Sequence, residues 1–364
     1  MSNFANTWNR LAQALQNTPR TSPSTITIPR DHVDLNPHGE LDSAFKAGQH
    51  YFQVLVNEMY LTKQRQWLDK IDPLVYAVCE FNYDNKPQVM PFVVGPGMLK
   101  RLGVPDQYAN GIIFRNTSIS GIRPYRGGGL TLSIVLCEAS VGNYVTPLLR
   151  VIESAANALD FSPALSPYMK VATLVMDGFE SLFNTGGIKP LVGLRDSFGP
   201  NFGTPFRPTY FALIDAPNVN PQSLWVRDNQ LVEGAELHSA KPYRQADFVL
   251  YSIVVPSDNK RDDVDALPFG DLWGRVKKDA ASPVDKPDYE SAKTNMAALY
   301  QSILLSPDMT EPQADELADQ YAKRMQSIHE RAVSIGHMDG EVADTREQAR
   351  LAQARSKSLA ILKS

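Results

Sequence analysis

A chain of 364 residues exceeds the size at which one hydrophobic core stops growing, so two cores are expected, and 43% hydrophobic with 21% charged residues suffices to bury them without staples. The net charge of -4, from 36 basic and 40 acidic side chains, excludes the wholesale basic face of a duplex-DNA binder and confines any anion site to a local cluster. Cys79 and Cys137 both sit in apolar, strand-like runs, which suits reduced core thiols better than a disulfide or a metal site.

Residues 1–16 space Trp8, Leu11, Ala12 and Leu15 at helical intervals, predicting a short amphipathic helix that must dock on something. From Thr18 to Pro37 the prolines at 19, 23, 29 and 37 among Ser and Thr predict an extended arm. Residues 1–40 are therefore read as an N-terminal helix and arm. The first twenty residues hold no continuous apolar stretch and nothing later approaches about 20 apolar residues, so a cytoplasmic chain without a transmembrane segment is expected.

Residues 41–284 are read as a β-rich domain with inserted helices. β-branched and aromatic runs predict strands over 51–60, 74–83, 89–94, 111–114 and 130–137, the second and third joined by the turn cluster Asp84-Asn85-Lys86-Pro87. In the last of them Leu130, Leu132, Ile134 and Leu136 alternate with Thr131, Ser133, Val135 and Cys137, the pattern of a strand with one deeply buried face. A covering helix is expected over 145–159, and 168–183 is read as helix, with a buried strand over 171–176 as the alternative. Strands resume over 189–194, 209–214, 223–226 and 248–255.

Residues 285–364 are read as a helical region. Tyr289, Ala292, Met296, Leu299 and Ile303 repeat at helical steps behind Pro287, and Thr310 with Gln313 forms a capping-box pattern opening a second helix through Ala314, Leu317, Tyr321, Met325 and Ile328. Only Leu305 to Met309 separate them, which predicts an antiparallel hairpin. A break is expected at Gly336 to Gly340, then a third helical segment from about Glu341. The fold class is thus α+β: an antiparallel β-sandwich or open antiparallel sheet with covering helices, followed by a helical hairpin and tail.

The chain carries none of the phosphate-loop, zinc-protease, nucleophile-elbow, paired C-x-x-C or dinucleotide motifs. Its anion-binding candidates are Lys100 and Arg101 beside Gly95-Pro96-Gly97, and Arg123 and Arg126 beside Gly127 to Gly129, where backbone N–H groups and cations can converge. The simpler reading of both clusters is a glycine turn at a strand end. Asp262, Asp263 and Asp265 lack the spacing of a calcium loop, and the six histidines are scattered, so no catalytic residue, metal ligand or cofactor is assigned.

Charge changes sign along the C-terminus. Residues 311–344 hold eight acidic and three basic side chains, residues 346–363 one acidic and five basic. Trp8, Leu11 and Leu15 in the N-terminal helix, which must dock on something, and Arg346, Arg350 and Arg355 in the basic tail are the interface candidates. The chain is expected to be a non-catalytic protein-interaction or assembly protein, binding itself or another protein, with no strong nucleic-acid signal. The alternative is a small-anion or phosphate-binding protein or enzyme working through the loops at 95–101 and 123–129.

Overall fold

The computed structural model describes residues 23–34, 43–63, 65–66, 69–83, 86–95, 112–113, 118–140, 188–261, 264, 267, 269–281 and 286–340. The chain separates into two compact units, Met1–Arg261 and Asp262–Ser364.

The first unit is built from fourteen strands among the described residues: β1 (Ser24–Thr27), β2 (Tyr51–Tyr60), β3 (Arg65–Gln66), β4 (Asp69–Tyr83), β5 (Lys86–Val94), β6 (Ile112–Ile113), β7 (Arg123–Pro124), β8 (Leu130–Ser140), β9 (Ile188–Phe198), β10 (Thr209–Ile214), β11 (Leu224–Arg227), β12 (Gln230–Glu233), β13 (Lys241–Pro242) and β14 (Phe248–Val254). One sheet has the order β1-β10-β14-β2-β6, with β7 also on β2. A second has the order β3-β4-β8-β9, with β5 on β4, and a third is β11-β12-β13. All of these ladders are antiparallel.

Period-2 alternation places the first two sheets around one core. Val54 and Val56 of β2, Phe211 and Leu213 of β10, and Tyr251 and Ile253 of β14 share a cluster with Val75, Ala77 and Cys79 of β4 and Leu130 to Leu136, at every second residue, of β8. The expectation for β8 is exceeded, because Ser133, Val135 and Cys137 on its other face are buried as well. Both cysteines are buried and neither forms a disulfide, and burial, then the charge of Glu80, pushes the Cys79 thiol up, as befits an inert core thiol.

The opposite face of the first sheet carries a second core. Ile26, Ile28, Tyr210, Ile214 and Leu250 pack there against Leu224, Val226 and Leu231 of the small sheet. The proline-flanked arm therefore contains a strand: β1 pairs with β10 from Ser24↔Ile214 to Thr27↔Phe211, burying Ile26 and Ile28 while Thr25 and Thr27 face out. The following 3-10 turn buries His32, which stacks on Trp225 at 3.8 Å and holds its Nδ1 2.8 Å from the Leu224 carbonyl.

Among the described residues β5 pairs with β4 alone, and its sequence protects the other edge. Pro87 and Pro91 lie four residues apart, hence on one edge, and the β4 ladder runs unbroken through both. Their missing N–H groups therefore point away from β4, and the outer edge offers an incomplete template for a further strand.

In the second unit α1 (Gly270–Ala280), α2 (Lys286–Leu304) and α3 (Glu311–Gly340) enclose their own core. α2 buries Ala292, Met296, Leu299 and Ile303; α3 answers with Ala314, Tyr321 and Met325, and α1 with Val276 and Ala280. Tyr289, in the first turn of α2, stacks on His329, late in α3, at 3.6 Å, so the pair runs antiparallel as its short connection requires. The break expected at Gly336 does not occur, because α3 continues to Gly340. A single interior glycine costs only about 1 kcal/mol, which an established helix absorbs.

Candidate functional site

Of the four anion-binding candidates, Lys100 and Arg101 lie outside the described residues, as do Trp8, Leu11, Leu15, Arg346, Arg350, Arg355, the helices expected over 145–159 and 168–183, and Asp262, Asp263 and Asp265. Arg123 is half-buried in β7, at the edge of β2. Its Nε donates to the Ser120 carbonyl at 3.1 Å and its Nη2 to the Met90 sulfur at 3.5 Å, while the guanidinium lies 6.0 Å from the Phe81 ring centre and 5.7 Å from that of Tyr83. These contacts tie β7 to β4 and β5. Arg126, three residues on, is exposed.

The glycines beside them serve close packing. Gly127 and Gly128 have φ of +86° and +82°, and a Cβ on Gly129 would meet Phe202 Cε2 at 2.2 Å and the Phe198 carbonyl at 3.0 Å. The Tyr125 hydroxyl donates to the Gly128 carbonyl at 3.0 Å, closing the loop on itself.

A buried ion pair that sequence reasoning missed joins the first sheet to the small one. Glu58, on β2, is fully buried; its Oε1 accepts from Arg244 Nη2 at 2.8 Å and its Oε2 from the Leu231 N–H at 2.7 Å. Arg244 also donates to the Tyr243 carbonyl and covers the Tyr60 ring at 4.6 Å. Burial pushes the Glu58 carboxyl up to about 7, against the lowering effects of Arg244, Leu231 and Gln230. The signal was present in the sequence as one carboxylate inside the apolar run Tyr51 to Tyr60. Its partners come from β12 and the loop after β13, so the pair reads as a clamp between sheets.

The second polar cluster lies on the outer side of β4, β8 and β9, where Arg195 pairs with Glu80 and donates to Ser133 Oγ at 2.9 Å. Arg195 faces Ser133 directly across the β8–β9 ladder and reaches over β8 to Glu80, which stands opposite Thr131 on β4, so the cluster ties three strands together.

The second unit presents a different kind of surface. From Asn295 to Leu305 there are eleven residues without a charge. The inward positions Met296, Leu299 and Ile303 fill the core, yet Ala297, Ala298, Tyr300 and Gln301 on the outer side are exposed, Tyr300 by 42%, and Leu305, just past the helix end, by 82%. A helix that is apolar on both sides is ordinarily covered on both sides. Directly after the turn, α3 opens with exposed Glu311, Asp315, Glu316 and Asp319, a row of carboxylates beside the apolar tip. No helix among the described residues is long and apolar enough to cross a membrane, and none of their His, Cys, Asp and Glu side chains gather in a group that could hold a metal ion.

Neither the family models, nor the curated proteins, nor the solved structures contain a match to this chain.

Proposed function

We propose that this chain is a non-catalytic assembly protein whose contact surface is the outer face of α2. The observation that carries the reading is the exposure of Tyr300 and Leu305 on an uncharged stretch whose inner side already completes the core of its unit. Apolar area removed from water contributes roughly 25 cal/mol per Å². Interface hot spots favour tyrosine because a rigid ring contributes large area at small entropic cost. The acidic first turns of α3 add a charged rim that sets orientation and partner choice.

The alternative, a small-anion or phosphate-binding protein or enzyme acting through the loops at 95–101 and 123–129, draws less support. Arg123 already engages a carbonyl, a sulfur and two rings, and the glycines of the second loop answer packing demands.

Light scattering across a concentration series tests the assembly reading on the full chain. The parent is expected to gain mass with concentration, and Tyr300→Ser with Leu305→Ser to weaken association by about tenfold or more at an unchanged melting midpoint. A parent that scatters as a single chain throughout, or a double variant that associates like the parent, overturns it.

A further inference from the structure

We infer that the occupant of the outer face of α2 is the C-terminal segment, residues 346–363, of a second copy of this chain. The inference rests on the assembly reading above and names its partner.

The first argument is chemical. The face offers an apolar stripe, Ala297, Ala298, Tyr300 and Leu305, and α3, which follows it after a short turn, opens with exposed carboxylates, of which Asp315 and Asp319 stand one turn apart. The occupant that matches is apolar and cationic. Residues 346–363 carry five basic side chains against one acidic, together with Leu351, Leu359, Ile361 and Leu362. Buried apolar contacts supply affinity in such a pair, and the opposed charges fix its direction. No other long stretch of the C-terminal unit has that composition, since residues 311–344 are acidic by eight to three.

The second argument is reach. α3 runs 30 residues, from Glu311 to Gly340, and at 1.5 Å per residue its far end lies about 32 Å from Asp319 and about 38 Å from Asp315. The segment is attached at that far end. At the same rise Arg350 and Arg355, 10 and 15 residues beyond Gly340, would lie about 15 and 23 Å from it, so a helical tail folded back along its own α3 would leave both cations short of Asp319. A second copy lying antiparallel brings its tail directly to the row, and the same contact is made twice by symmetry, as a two-fold dimer requires.

Charge reversal in the full chain tests this. Asp315→Lys with Asp319→Lys, and separately Arg350→Glu with Arg355→Glu, are each expected to weaken self-association by about tenfold or more while leaving the melting midpoint in place. Mixing the two variants is expected to restore a dimer, because the reversed tail then meets the reversed face and the parental tail the parental face. Association of both variants at parental strength, or a mixture that stays monomeric, overturns the inference. If charge reversal has no effect while Tyr300→Ser with Leu305→Ser still abolishes association, the face remains a contact surface and the tail is not its occupant. If the parent is monomeric, the assembly reading itself falls.

Discussion

Arg244 and Glu58 meet at 2.8 Å across 186 residues of chain, and they are unequally placed: the carboxylate has no exposure, whereas the guanidinium side chain keeps 21%. The carboxylate bears the larger desolvation, which explains why its acidity is weakened although a cation adjoins it.

That asymmetry predicts a pH dependence. The folded protein holds the Glu58 proton more tightly than the unfolded chain does, so this contribution to stability is complete below 4.5 and is lost as pH rises through 7. The shift from 4.5 to about 7 corresponds to a change on the order of 3 kcal/mol. His50 acts in the opposite sense, because burial and then Lys46 lower its proton affinity, removing stability as pH falls through 6.5. The parent must therefore be compared with Glu58→Gln. Urea unfolding across this range should show the parent losing ground to the variant as pH rises; parallel curves refute the assignment.

Neighbouring positions on α2 should respond in opposite ways. Leu299 is fully buried in the three-helix core, and Leu299→Asp should cost about 3 kcal/mol or more by placing an unpaired charge there. Tyr300 faces out, and Tyr300→Ser should move stability by less than about 0.5 kcal/mol. Thermal melts of the two variants at low protein concentration, where association does not contribute, check the face assignment.

The two arginines flanking the glycine loop are separable in the same manner. Arg123→Ala removes a carbonyl bond, a sulfur contact and stacking on two rings, and should cost about 1–2 kcal/mol. Arg126→Ala, at an exposed site, should cost under about 0.5 kcal/mol. Equal midpoints in chemical denaturation would contradict the bracing role given to Arg123.

Gly129 is required for close approach rather than for ligand contact. Gly129→Ala should destabilise by about 1–3 kcal/mol, because its new methyl group overlaps the Phe202 ring. Adding Phe202→Ala should recover part of that loss and not all, since the Phe198 carbonyl remains 3.0 Å away. Full recovery, or none, would argue against this packing.

The α+β class and the principal elements were legible because side-chain periodicity alone specifies them. β2, β10 and β14 follow their apolar runs, and α2 and α3 follow spacings of three and four. β1 was legible too, in the alternation Thr25, Ile26, Thr27, Ile28, but Pro23 and Pro29 at its borders gave the stretch the chemistry of a linker. Only pairing with β10, almost two hundred residues away, decides that it is a strand. α1 was hidden by its two glycines and short length; its Val276 and Ala280 gain a helical reason only when α2 and α3 cover them.

The site divides along the same line. Charge reversal along the C-terminus and the uncharged stretch from Asn295 to Leu305 belong to the sequence, since charge and hydropathy are properties of residues. Which side of α2 stays exposed, the employment of Arg123 as a brace, and the meeting of Glu58 with Arg244 were decided by tertiary structure. Each depends on which distant segment arrives opposite, and local periodicity carries no information about that.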